Sequence, residues 1–158
     1  MVGLLQIKDA IMTSTTYNLQ RFIDAQATAY STALSEIKSG GKRSHWIWYI
    51  FPQVQGLGFS EVSKFYALQN LTEAKAYLNH PILGKRLIEI CQELLKFVDT
   101  DATEIFGFPD DLKLKSSMTL FSGIPDTNEV FQLILDNFFN ASKDAKTLEI
   151  IGKFGHCH

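Results

Sequence analysis

Two cysteines among 158 residues are too few for a disulfide framework. No window approaches the ~20 apolar residues that a membrane span requires. The opening Met1-Val2-Gly3-Leu4-Leu5-Gln6-Ile7-Lys8-Asp9 lacks the basic flank and the long apolar run of a signal peptide. A basic excess is missing too: the formal charge is −2, which excludes a broad electrostatic nucleic-acid surface. There is no fixed-period repeat, no low-complexity stretch and no linker long enough to divide the chain. These absences lead us to expect an intracellular, reducing, cytoplasmic location, with no membrane association, no metal and no cofactor.

What is present is the composition of a globular domain, 46% apolar and 20% charged. The length fits one domain, expected over residues 16–152, with loosely ordered ends at 1–15 and 153–158. Helical periodicity dominates. Phe22, Ala25, Ala29, Tyr30, Ala33 and Ile37 form one apolar stripe over 18–38, stopped by Gly40-Gly41. Ser60 and Thr72 are placed to cap two short helices. His80-Pro81 opens a helix whose stripe of Ile82, Leu83, Leu87, Ile90, Cys91, Leu94, Leu95 and Val98 runs to about Asp99. Cys91 reads as a small buried hydrophobe within it.

Asp101 precedes a short turn ending at Phe106-Gly107, and Pro109-Asp110-Asp111 starts a helix to about Phe121. Asp126, Thr127 or Asn128 caps another, bearing Val130, Phe131, Ile134, Leu135, Phe138 and Phe139. A last helix spans about Asp144–Gly152. Sustained period-two alternation is missing. The expected fold is all-α, with seven to eight irregularly packed helices and room for a minor β element within 45–59.

The densest chemistry lies in Lys42-Arg43-Ser44-His45-Trp46-Ile47-Trp48-Tyr49-Ile50-Phe51-Pro52-Gln53, which contains both tryptophans. Together with Arg21-Phe22-Ile23-Asp24-Ala25-Gln26, Gly56-Leu57-Gly58, Tyr77–Leu87, Phe106–Lys113 and Ser116-Ser117-Met118-Thr119-Leu120-Phe121, it resembles the domain-of-unknown-function family 1810. Those motifs follow the family's order from about Tyr17 to Leu148. The resemblance implies a mainly helical fold and no established activity. Members are often labelled calpastatin, but calpain inhibitors of that name are long disordered repeat proteins, unlike a chain of this composition.

Each constellation has a plain reading beside a functional one. His45 is a candidate acid or base, or a histidine packed on Trp48 or Tyr49. Within a helix Trp46 and Trp48 lie roughly 200° apart, so one faces the core and the other a cleft or solvent. Gln53 offers a donor and an acceptor to a nucleobase or carboxamide, while Gly56-Leu57-Gly58 is a turn without the preceding strand of a dinucleotide fingerprint. Lys113, Ser116 and Ser117 can present donors to a phosphate or carboxylate, or pack and solvate an ordinary helix.

A nucleophilic Ser117 needs His45 as base, with Asp111 as the acidic candidate, and no Gly-x-Ser-x-Gly elbow is present. His156-Cys157-His158 lacks the further fixed ligands of a metal site. The expected site is therefore an aromatic and basic cleft of Lys42, His45, Trp46, Gln53, Lys113 and Ser117, holding a small anionic or nucleotide-like ligand. One alternative is a hydrolase or glycosidase acting on a nucleotide or ADP-ribose conjugate. It follows from a faint similarity of the His-Pro-x-Leu-Gly and Phe-Gly segments to the NADAR proteins. The other is a protein-interaction domain using the Trp-rich face.

Overall fold

The 18–38 stripe becomes α1, Gln20–Lys38, which buries Phe22, Gln26, Ala33 and Ile37. Gly40 then takes a positive φ of 83°, and the amides of Gly40 and Gly41 close the last turn onto the carbonyls of Ile37 and Glu36. The computed structural model describes residues 17–97 and 99–155. The expectations for residues 1–15, Val98 and the His156-Cys157-His158 tail lie outside them.

Eight more helices follow among the described residues: α2 Ile47–Ile50, α3 Glu61–Tyr66, α4 Leu71–Asn79, α5 Leu83–Leu94, α6 Ala102–Phe106, α7 Asp110–Ser122, α8 Val130–Phe139 and α9 Ala145–Gly155. The fold is all-α, with one or two helices more than the sequence pattern separates. Ser60 caps α3, its hydroxyl accepting from the Ser63 amide at 3.1 Å. The cap of α4 is Asn70 and not Thr72, because the Asn70 carboxamide already accepts from the Glu73 amide at 2.9 Å and starts the helix earlier. His80 opens α5 by accepting from the Ile82 and Leu83 amides through Nδ1. That helix stops at Leu94, short of Asp99, where three-residue turns from Glu93 and Leu94 tighten its end.

The α7 helix is the centre of the packing, touching α2, α4, α6, α8 and α9. It is buried nearly all round, so it carries little apolar stripe. Small polar residues are tolerated there because their hydroxyls turn back on the backbone. Ser116 donates to the Leu112 carbonyl and Thr119 to that of Lys115. The minor β element reduces to one parallel bridge, Val54 with Leu68, fixed by Leu68 N–H to the Gln53 carbonyl and Gln55 N–H to the Leu68 carbonyl. This clip holds the segment after α2 beside the end of α3. No helix among the described residues is long and apolar enough to cross a membrane.

Candidate functional site

The aromatic segment is anchored from below by Glu36 on α1. Its carboxylate accepts from the Arg43 amide, the Ser44 amide and hydroxyl, and Trp46 Nε1, at 2.6 to 2.9 Å. Burial alone would raise the Glu36 pKa. The hydrogen bonds from Ser44, Arg43 and Trp46 outweigh it and hold the group down at about 2. Trp46 is thereby fixed in the core, 1% exposed, against Phe51 and Phe106. Trp46 is the N-cap of α2, with a φ of −127°, and Trp48, two residues on within the helix, is half-buried in the wall of a cleft.

Lys113 of α7 approaches Trp48 with its ammonium 4.1 Å from the ring centroid. One turn earlier Asp110 accepts from Lys113 at 3.1 Å and from Lys42 at 2.8 Å. The Lys42 side chain is 6% exposed and also stands over Trp46. Burial would lift the Asp110 pKa, but hydrogen bonds and charge from both lysines take it below the usual aspartate value. One carboxylate thus serves two ammonium groups, Lys42 over Trp46 and Lys113 over Trp48. Through Asp110 the 42–53 and 110–121 segments meet.

The cleft between them has a volume of about 740 Å³, within the usual range for small-molecule sites. Trp48, Gln53 and Tyr66 supply planar surface, Lys64, Lys113 and Lys146 supply charge, and Ser63 and Ser116 supply hydroxyls. The turn at Gly56–Gly58 forms another wall. Gly58 must be glycine, since a Cβ there would stand 2.4 Å from Ser63 Oγ. The α3 wall is tied down by Arg21, whose guanidinium donates to the carbonyls of Phe65 and Ala67 and pairs with the fully buried Glu73 at 3.2 Å.

Of the residues expected from sequence, Gln53 and Lys113 line this cleft, and Lys42 stands behind it through Asp110. Three expectations need correction. Trp46 is core, and its neighbour Trp48 is the wall. Ser117 is 0% exposed with no hydrogen-bond partner, whereas Ser116 faces the cleft, because successive helical residues are turned about 100° apart. His45 is exposed outside the cleft.

The proposed acid–base set does not converge. Ser117 is sealed from solvent, and Asp111 is occupied by the Thr103 hydroxyl at 2.6 Å and the Leu112 amide. Lys64, Tyr66, Asp144 and Lys146 were not read from the sequence as site residues. Lys64 and Tyr66 follow a legible cap, but nothing local signals that the start of α9 closes one end. Among the described residues no three His, Cys, Asp or Glu side chains group as metal ligands. The Cys91 thiol is buried beside Met118, and burial pushes its pKa up, away from thiolate chemistry.

The family model described as Protein of unknown function (DUF1810) matches residues 16–151. The chain belongs to this family. A search of curated proteins finds no match. Among solved structures it is similar to the conserved hypothetical protein Rv1873 from Mycobacterium tuberculosis, at 41% identity and a TM-score of 0.85, covering 87% of this chain and 98% of that one. The architecture of the described residues is thus shared with that protein over most of both chains.

Proposed function

We propose that the domain is a binding module whose cleft takes a small anionic or nucleotide-like ligand. The observation that carries this reading is the Lys113 ammonium against the Trp48 ring, with Asp110 divided between Lys113 and Lys42. A planar ring gains from the aromatic surface, and an anion gains from Lys64, Lys113 and Lys146, which outnumber Asp144 in the lining. No reaction is assigned. Asp144, the carboxylate of the lining, already accepts from the Thr147 amide and hydroxyl. Thermal shift with a panel of nucleotides tests the reading. A ligand that raises Tm by mass action should lose most of its effect in Trp48→Ala and in Lys113→Ala. Equal shifts in wild type and both variants would move the ligand elsewhere, and no shift with any of the panel would refute the reading.

A second reading, protein interaction, has a specific observation of its own. Phe59, Val62 and Phe65 recur at intervals of three across the start of α3 and are 88%, 47% and 54% exposed, and Phe108 and Leu112 are exposed near the cleft's other side. Exposed apolar clusters of this kind suit a protein partner. Replacing Val62 and Phe65, which are exposed and do not line the cleft, by Ser should then leave nucleotide binding intact while abolishing association measured by sedimentation with any partner found.

A further inference from the structure

We infer that the cleft holds its ligand in one direction, and that the ligand is a phosphorylated nucleoside: its base lies inward against Trp48 and Gln53, and its phosphoryl group lies at the mouth between Lys64 and Lys146. This rests on the ligand-binding reading above and adds the class and the orientation.

The inner end is suited to a planar group with adjacent donor and acceptor. The Gln53 carbonyl is taken by the Leu68 amide, but its side-chain carboxamide has no hydrogen bond among the described residues and lines the cleft. The Val54–Leu68 bridge next to it fixes its backbone, so the amide is presented from a rigid edge. A carboxamide offers one acceptor and two donors in a plane, the complement of a nucleobase edge, and Trp48 supplies the stacking surface. At this end the Lys113 charge is already partly met by Asp110.

The mouth is different. Lys64 has no ion-pair partner among the described residues. Lys146 has only Glu149 at 3.9 Å, with both side chains 59% exposed, a surface pair of negligible strength. These two ammonium groups come from α3 and α9 and line one cleft. A phosphoryl dianion is costly to strip of water. It is bound more readily at an exposed mouth, by flexible ammonium groups that keep their own hydration, than against Trp48. Asp144 lines the cleft as well, but this one carboxylate, turned to the Thr147 amide and hydroxyl, is outnumbered by Lys64, Lys113 and Lys146 of the same lining.

The test is calorimetric titration of the full chain with AMP, GMP, CMP and UMP and the four matching nucleosides, at low and at raised salt. For the preferred base, the monophosphate should bind at least tenfold more tightly than its nucleoside, and raised salt should reduce that advantage. Lys64→Ala combined with Lys146→Ala should bring the ratio below about threefold, with nucleoside affinity unchanged. Gln53→Ala should weaken the preferred base and level the four, with the phosphate advantage retained. Lys64 and Lys146 are exposed and the Gln53 side chain has no hydrogen bond among the described residues, so a urea melt should find the variants as stable as wild type. A double lysine variant that keeps the tenfold ratio, or a nucleoside equal to its monophosphate, overturns the orientation while Trp48-dependent binding stands. Absence of binding by all eight compounds overturns the ligand reading itself.

Discussion

Trp46 and Trp48 are two residues apart and have opposite surroundings. Trp46 is enclosed, donates its Nε1 proton to Glu36 and packs among Phe51 and Phe106. Trp48 is half-buried, carries the Lys113 ammonium near its ring and borders a cleft. The same residue type thus stabilises the fold at one position and offers a binding surface at the other. The difference is made by a single turn of helix and by one glutamate that fixes where the turn begins.

The comparison breaks most sharply at Trp46. Trp46→Ala should cost about 3–5 kcal/mol through lost burial and the cavity left behind. Trp48→Ala should cost on the order of 1 kcal/mol. Urea unfolding of both variants checks this, and equal losses would contradict the division of roles.

Glu36 comes next. Replacing it by Gln weakens four hydrogen bonds to a charged group and should cost roughly 1–3 kcal/mol at neutral pH. The sign of its pH dependence follows from the lowered pKa. The stabilisation is fully present above the ordinary value of 4.5 and is lost as pH falls from there towards about 2. Wild type should therefore lose stability over that window more steeply than Glu36→Gln, as measured by urea midpoints at successive pH values. Parallel curves would show that the knot beneath Trp46 does not act as described.

The smallest effects separate two hydroxyls on α7. Thr119 donates to the Lys115 carbonyl and accepts from the Asp144 amide at 2.9 Å, joining α7 to the start of α9. Thr119→Ala should cost about 1–2 kcal/mol, because it leaves the Asp144 amide without that acceptor. Ser117 has no partner, so Ser117→Ala should stay within ~0.5 kcal/mol of wild type or stabilise slightly. A large loss at Ser117 would mean that its hydroxyl has a role the contacts do not account for.

Much of this was legible in the chain. Periodicity of three and four placed the main helices, and the different surroundings of the two tryptophans match the helical expectation although Trp46 caps α2 from outside it. Which of them entered the core was not legible, because Glu36 makes that choice from ten residues away. The same limit applies to Ser116 and Ser117. A helix buried on most of its circumference has no polar face from which to read its rotation. The α3 and α9 contributions depend on contacts between distant segments, such as Arg21 with Glu73, 52 residues apart, and no local pattern encodes them. The joining of 42–53 to 110–121 was expected as a shared cleft, but its agent, Asp110, was legible only as part of the Pro109-Asp110-Asp111 helix start.

The most direct test of the central claim uses the fact that the chain has two tryptophans. In Trp46→Phe the emission comes from Trp48 alone, and in Trp48→Phe from Trp46 alone. Quenching by iodide, caesium and neutral acrylamide then reports access and local charge. The account predicts that Trp48 is quenched by iodide well beyond caesium, with the excess lost in Lys113→Ala, while Trp46 resists both ions. Equal access for the two tryptophans, or caesium outdoing iodide at Trp48, would contradict a positively charged cleft built on one tryptophan with the other sealed in the core.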